Sequence, residues 1–186
     1  MSCEAVPDAF LDARLAGALD AEIHWRGPAL GCDGTRRPDG QGLRVSFTGS
    51  QAGERLTLVF GVPHLAEGAD GRAIPVNVTL IREGRDLYGT QGEGKCLLDE
   101  VRQSALAGAP PDPPPAGVAG PADAPAPAPR LWRIDARGFC LEPARSIGDG
   151  RDAILLATFD FRGQLTWEQD PPEQTPLVPP PAAKGR

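Results

Sequence analysis

The most specific chemical motif in the sequence is a glycine-rich segment that runs from Gly89 through Gly94 to Lys95. It fits the pattern G-x-x-x-x-G-K of phosphate-binding loops, in which backbone N–H groups surround a phosphate and the lysine neutralises it. That pattern needs Ser or Thr at the next position to bind magnesium, whereas this chain has Cys96, a poor ligand for a hard cation. The sequence before it is hairpin-like, not a buried parallel strand. We therefore favour a glycine-rich turn between strands.

Four cysteines, Cys3, Cys32, Cys96 and Cys140, are spread along the chain. They lack the C-x-x-C spacing and neighbouring histidines of a zinc site, so we expect disulfides. Of the three pairings that four cysteines allow, we predict Cys3 with Cys32 and Cys96 with Cys140. Each of these pairs brackets one irregular connection that lacks apolar residues of its own to hold it. Disulfides predict a periplasmic or secreted protein.

Cys3 also has an alternative use. It could be the lipidated first residue of an outer-membrane lipoprotein, which would give the protein a lipid anchor and leave three cysteines. An odd number is unfavourable for a disulfide framework. The disulfide is therefore the preferred interpretation.

Neither histidine belongs to a catalytic or metal-binding pattern. His24 alternates with Asp20 and Glu22 in a strand-like segment, which allows at most a weak surface metal site. His64 stands alone, and the sequence has no G-x-S-x-G nucleophile elbow. We therefore predict a protein that is not an enzyme and that binds no metal or cofactor.

Charge and hydropathy exclude two further classes of partner. The net charge of −6 over 186 residues is spread along the chain, so no basic face is predicted for nucleic acid. No apolar run approaches the roughly 18 residues of a membrane span, so we expect no transmembrane segment.

Short segments of alternating polar and apolar residues, separated by Gly-, Pro- and Asp-rich turns, dominate the chain. This pattern predicts an all-β fold, an antiparallel β-sandwich or flattened barrel of about eight or nine strands. One segment, residues 6–19, has helical spacing and predicts a short N-terminal helix. Residues 27–42, rich in Gly and Pro, predict a long irregular connection. The predicted strands include residues 21–26, 43–47, 55–60, 76–81, 86–88, 95–101, 131–140, 153–161 and 164–167.

Two segments fall outside this pattern. We predict one domain over residues 1–170, interrupted by a Pro/Ala-rich insert at residues 107–130 and followed by a Pro-rich tail at residues 171–186. Such composition offers little burial to offset the entropy of ordering. The insert could serve as an extended polyproline ligand.

The sequence by itself does not establish a function. Because catalytic, metal and basic motifs are missing, we expect an exported, non-enzymatic module for protein binding or structural interaction, with a protein partner that is unidentified. The predicted contact surface comprises Trp167, His64, Arg36 and Arg37. A carbohydrate-binding β-sandwich with exposed Trp faces is the first alternative, and a nucleotide-binding enzyme built on the segment from Gly89 to Lys95 is the second.

Overall fold

The computed structural model describes residues 3–90, 94–106, 130–148 and 150–167, and nearly all regular structure in it is antiparallel β-sheet. This confirms the predicted fold class, although there are eleven strands and not eight or nine. One short 3-10 turn occupies Gly27–Ala29. None of the helices in the described ranges could span a membrane. The strands are β1 (Phe10–Gly17), β2 (Ala21–Arg26), β3 (Gly31–Arg36), β4 (Leu43–Gln51), β5 (Glu54–Val62), β6 (Ile74–Arg82), β7 (Asp86–Gly89), β8 (Cys96–Ala105), β9 (Arg130–Cys140), β10 (Ala144–Ser146) and β11 (Ala153–Trp167).

Seven strands form a closed ring of hydrogen-bonded neighbours in the order β3, β4, β5, β6, β8, β9, β11 and back to β3. All neighbours in the ring are antiparallel except at its closure, where Thr166 of β11 pairs with Thr35 of β3 in parallel. The hairpin β1–β2 branches from the first half of β11. The result is a flattened barrel with a two-stranded flap.

The core consists of the inward-facing residues of these strands, which alternate with outward-facing polar ones as half-buried strands require. Four phenylalanines meet at its centre. Phe47 of β4 and Phe60 of β5 contact Phe161 of β11 with ring centroids 5.0 and 4.8 Å apart, and Phe60 lies 4.9 Å from Phe159. Opposite walls of the barrel therefore pack directly on each other, which explains its flattened shape.

Both predicted disulfides are present. Cys96 and Cys140 are directly opposite each other in the β8–β9 ladder, at the end of the hairpin away from the insert. Closing a loop of this length stabilises the fold by about 4 kcal/mol on the chain-entropy model. The insert therefore connects two strands whose register is fixed by both the ladder and a covalent bond.

The disulfide between Cys3 and Cys32 holds the N-terminal segment in the fork of the sheet, where β11 separates from β1 to meet β3. Val6 and Ala9 are buried there with Leu30. The backbone N–H of Ala5 donates to the side chain of Gln164 on β11, at 3.2 Å. The segment thus fills a gap that the ladder leaves open.

The predicted N-terminal helix is wrong. Phe10–Gly17 forms β1, in which Leu11, Ala13 and Leu15 face the core and alternate with Asp12 and Arg14. These residues satisfy a period of two as well as a helical one. Pairing with β11 on one side and β2 on the other decides between them, because neither partner is visible in the local sequence.

The prediction of an irregular connection over residues 27–42 is also wrong, because Gly31–Arg36 forms β3. Its glycines hide the strand pattern, but one of them is required. A Cβ on Gly34 would lie 2.4 Å from the carbonyl oxygen of Gln164, so only glycine permits β3 to approach β11 this closely.

The predicted insert, except for Arg130 at the start of β9, and the predicted tail lie outside the described residues.

Candidate functional site

Strand register brings all four predicted contact residues to one end of the barrel. Arg36 ends β3, Arg37 follows it, His64 follows β5, and Trp167 ends β11. The pairs Arg36–Leu43, Leu43–Val62 and Thr35–Thr166 place these positions at a common level. We call this the loop end, meaning residues 36–42 and 61–73 with the adjoining ends of β8, β9 and β11.

The turn between β3 and β4 is held by its own hydrogen bonds. The Nε of Arg36 donates to the carbonyl of Gly40 at 2.9 Å, and the Nε of Arg37 donates to the Asp39 carboxylate at 3.1 and 3.2 Å. Asp39 also accepts the N–H of Gln41 at 3.0 Å. The hydrogen bond from Arg37 and that from Gln41 hold the pKa of Asp39 below its usual range. The turn is therefore preformed.

His64 is exposed and has φ of 61°, in the left-handed region that L residues other than Asn, Asp and His seldom adopt. Its backbone packs against the β3–β4 turn at Gly42. A Cβ on Gly42 would lie 2.0 Å from the carbonyl oxygen of Val62 and 2.8 Å from the nitrogen of His64. The two turns are thus fixed against each other, and His64 projects from their junction.

Trp167 does not form the exposed aromatic contact that we expected. Its ring is buried, 6% exposed, and its Nε1–H donates to Oε1 of Gln103 at 2.9 Å. The adjacent acidic sequence suggested an exposed chain end, but the alternation of β11 directs Trp167 inward with Leu165. Its contribution to the loop end is structural.

Gln103 is the centre of a buried polar network that holds the loop after β5. Its Nε2 donates to the carbonyls of Ala66 and Ala69 at 2.8 and 2.9 Å. Its Oε1 accepts from Trp167 and, at 3.4 Å, from the N–H of Gly68. Both donors and both acceptor positions of the amide are therefore used. These hydrogen bonds offset the free-energy cost of burying the polar side chain.

Glu67 adds a second contact between this loop and β9. Its carboxylate accepts Nε1–H of Trp132 at 2.8 Å and a guanidinium N–H of Arg130. The Trp132 ring lies over Gly68, where a Cβ would approach it to 2.9 Å. Trp132 and Trp167 therefore both hold the loop after β5, beside the end of β8 and the start of β9.

The segment that resembles a phosphate-binding loop connects β7 with β8. Lys95 leads directly into a strand, whereas a phosphate loop opens a helix. The N–H of Thr90 donates to the carbonyl of Val78, and Lys95 pairs with Glu142 at 3.5 Å. The described residues of this segment therefore support its interpretation as a turn between strands.

His24 bonds to a carboxylate, but not to one of its neighbours on β2. Its Nδ1 lies 2.8 Å from Oδ1 of Asp12, on β1. Asp12 also accepts from Arg26 at 2.6 Å. The described residues contain no cluster of three or more His, Cys, Asp or Glu side chains that could hold a metal ion.

A second polar region, which was not predicted from the sequence, covers the outer surface of β8, β9, β11, β1 and β2. We call it the charged face. Asp135 accepts from Nε of Arg133 at 2.7 Å and from Nε of Arg162 at 2.6 Å. Phe10 lies between the guanidinium groups of Arg26 and Arg162, 4.8 and 5.6 Å from its centroid. Outward alternation of opposite charges in β8, β9 and β11 was the available signal. The face includes Glu100, Arg102, Arg133, Asp135, Arg137, Asp160, Arg162, Asp12, His24 and Arg26.

A depression of about 310 Å³ lies in the charged face, and almost every ionic group around it has a partner of opposite sign. Glu100 accepts from Arg102 at 2.6 Å and from Arg137 at 3.1 Å. Charges that neutralise each other in this way leave little net field for a charged ligand. We therefore do not assign a binding role to this depression.

No family model, curated protein or solved structure matches this chain.

Proposed function

We propose that this protein is an exported, non-enzymatic binding module that contacts a protein partner through the loop end. The observation that carries the proposal is the junction of the two turns, which brings Arg36, Arg37 and His64 together on hydrogen-bonded loops. Preformed loops on a rigid sheet lose little conformational entropy on binding. They are a common location for recognition residues.

Two disulfides fit a protein of an oxidising, extracellular environment. We place the protein in the periplasm or among secreted proteins. A sulfur in a disulfide cannot also carry a lipid thioether, so the disulfide and the lipoprotein interpretations of Cys3 exclude each other. We propose the disulfide as the functional state. An intact mass with both disulfides and no acyl chain is expected for the protein isolated from its native envelope.

The two alternatives have less support. A sugar-binding platform needs exposed, coplanar tryptophans. Trp25 and Trp167 are buried, and Trp132 is half-buried against the loop after β5. A nucleotide site needs a helix after Lys95, and β8 follows instead. Protein recognition is therefore the function that we favour.

The test is a pull-down from periplasmic or envelope extract with the full chain as bait. The variant His64→Gly removes the side chain that projects from the junction and leaves the hydrogen bonds of the β3–β4 turn in place. Glycine at position 64 tolerates φ of 61°, so the backbone is not strained by the change. We expect the variant to lose the retained protein by at least tenfold without losing thermal stability.

The matched control is Ala52→Gly. Ala52 also has positive φ, 49°, but lies in the β4–β5 turn at the opposite end of the barrel. We expect the control to retain the partner fully. Equal retention by both variants would exclude the loop end. If no protein is retained while a soluble glycan or ATP raises the thermal midpoint, the proposed function itself is wrong.

A further inference from the structure

The outer surface of β4, β5, β6 and β7 differs from every other broad surface that the structure describes, because it carries no charged side chain over ten adjacent positions. We call it the neutral face. Cross-strand partners share one face of a sheet, and the register defines two rows, Ser46–Val59–Thr79–Gly89 and Thr48–Thr57–Ile81–Leu87. Gly61 and Asn77 extend it toward the loop end, where a Cβ on Gly61 would lie 3.8 Å from a guanidinium nitrogen of Arg37, so Arg37 marks the limit of the face. Charged residues stand at its borders, including Asp33, Arg44 and Arg145.

Three of the four hydroxyl groups of the neutral face are already hydrogen-bonded within the protein. Thr48 and Thr57 bond to each other with 2.9 Å between their Oγ1 atoms, and Ser46 donates to the carbonyl of Asp33 at 3.3 Å. Removing such groups from water costs less than removing unsatisfied ones. These three hydroxyl groups therefore offer little resistance to burial.

An apolar strip crosses the same face. Val59, Ile81 and Leu87 are half-buried in it, and Ile147, which is 45% exposed, packs over Gly89. A Cβ on Gly89 would lie 2.8 Å from Cδ1 of Ile147, so the glycine makes this contact possible. Aliphatic side chains and threonine methyl groups together give a continuous surface that favours contact with another protein surface.

We propose that the neutral face binds the neutral face of a second copy of this chain, forming a weak twofold-symmetric dimer. A twofold axis makes both copies present the same surface: residue i of one copy meets residue j of the other, and only residues close to the axis meet their own equivalents. A surface without charges therefore places no like charges together in such a dimer. Any other described broad face would bring charged groups together in a chain of net charge −6. Two twisted sheets pack face to face in this way in β-sandwiches.

The size of the face determines how strong the dimer is. Four strands about 4.8 Å apart and about five residues long cover roughly 19 by 17 Å. The residues of the face are half-buried or buried, so even with the side chains at its border two copies bury less than about 1,000 Å² in total, below the size of standard interfaces. We therefore expect a weak dimer, with a dissociation constant on the order of 100 μM.

Sedimentation equilibrium of the full chain between 5 and 500 μM tests the proposal. We expect the weight-average mass to rise from monomer toward dimer over this range. Val59→Glu and Val59→Lys, at the middle of the face, should each remain monomeric because like charges then meet across the axis. An equimolar mixture of the two variants should regain the dimer, which a merely misfolded variant would not do.

The matched control is Thr158→Glu, which adds the same charge to an exposed position of β11 on the charged face. It should dimerise like the unaltered chain. A monomer at 500 μM, or dimerisation that Val59→Glu leaves intact, overturns the assignment of a second copy to this face. Since the measurement needs no other protein, its result is independent of whether the loop end binds a partner.

Discussion

The hairpin β8–β9 carries two polar networks, one on each side, and they differ in their access to water. On the inner side, Gln103 is 7% exposed and bonds to three backbone groups and Trp167. On the outer side, Asp135 bonds to two arginines in the charged face. The first network is centred on a buried, neutral amide. The second consists of charged groups that are partly exposed to solvent.

The difference shows that the contribution of a polar contact to stability depends on the hydrogen bonds to water that its groups make in the unfolded chain. In water, arginine and aspartate are well solvated, so pairing them at a surface contributes between 0 and 1 kcal/mol per pair. Around Gln103 the partner groups lose water on folding, so the loss of one partner leaves the others unsatisfied. We therefore expect the uncharged network to contribute more to stability than the charged one.

Gln103→Leu is the largest predicted effect. The variant leaves the carbonyls of Ala66 and Ala69 and the Nε1–H of Trp167 without their partner, and it should lower the free energy of unfolding by about 3 kcal/mol or more. Urea denaturation followed by tryptophan fluorescence measures it. The control is the neighbouring outward residue, Arg102→Ala, which should stay within about 0.5 kcal/mol of the unaltered protein. Similar values for the two variants would contradict the comparison.

Trp167→Phe should have an intermediate effect. It keeps a buried aromatic ring, removes the hydrogen bond from Nε1 to Gln103 and leaves part of the indole volume unfilled, so we expect a loss of about 2 kcal/mol. Hydrogen exchange should show faster opening of the N–H of Gly68, which shares the same acceptor. Unchanged exchange at Gly68 would mean that Trp167 packs at the loop end without fixing the loop.

The parts of the fold that were predictable from sequence are those with local alternation. The hairpin β4–β5 shows this, because Val45 and Phe47 alternate with polar residues and a Gly-containing turn follows. Both disulfides join cysteines that are neighbours in sequence, as predicted. Cys96–Cys140 brackets the Pro/Ala-rich insert as expected, whereas Cys3–Cys32 also brackets β1 and β2 with their buried apolar residues. β1 and β3 were not, since the first fits two periods and the second contains glycines that only β11 explains.

The candidate site shows the same limit. The loop positions of Arg37 and His64 were readable, whereas Arg36 ends β3, and the meeting of all three depends on the register of three strands. The burial of Trp167 depends on Gln103, which lies 64 residues away in sequence. The neutral face also appears only when four strands are aligned. Contacts between residues distant in sequence therefore determined what local patterns left open.

Acidic pH should weaken the charged face selectively. Hydrogen bonds from Arg102 hold the pKa of Glu100 below its usual range; for Asp12, burial raises the pKa, but Arg26 and His24 together outweigh it and lower it. A lowered pKa contributes stability that is present above the unfolded value near 4 and is lost as pH falls through the folded pKa. The free energy of unfolding should therefore fall below about pH 4.5.

The uncharged network provides the contrast for that titration. The hydrogen bond between Gln103 and Trp167 contains no titratable group, so the cost of Trp167→Phe should be the same at pH 7 and pH 3.5. Adding 1 M NaCl at pH 7 should also reduce the contribution of the charged face, because salt screens exposed charges. A cost of Trp167→Phe that changes strongly with pH would show that the two networks are coupled through the hairpin.

Asp160 gives the smallest predicted effect and the only one that is stabilising. Burial and the negative charge of Asp12, directly opposite on β1, raise the pKa of Asp160. A raised pKa in the folded state opposes folding as pH rises, because the ionised carboxylate is less favourable there than in the unfolded chain. Asp160→Asn removes the charge and should raise the thermal midpoint at pH 7 by about 1–2 °C.

The sign of this change separates repulsion from ordinary pairing in the charged face. Asp135→Asn, on the adjacent strand, replaces the charged acceptor of Arg133 and Arg162 by a neutral amide and should lower the midpoint at pH 7. Near pH 2.5 Asp160 is protonated, so Asp160→Asn should leave the midpoint unchanged, since a neutral acid and an amide are similar in size and charge. If Asp160→Asn instead destabilises the protein at pH 7, the carboxylate has a favourable partner, and the charged face is better balanced than its cross-strand register indicates.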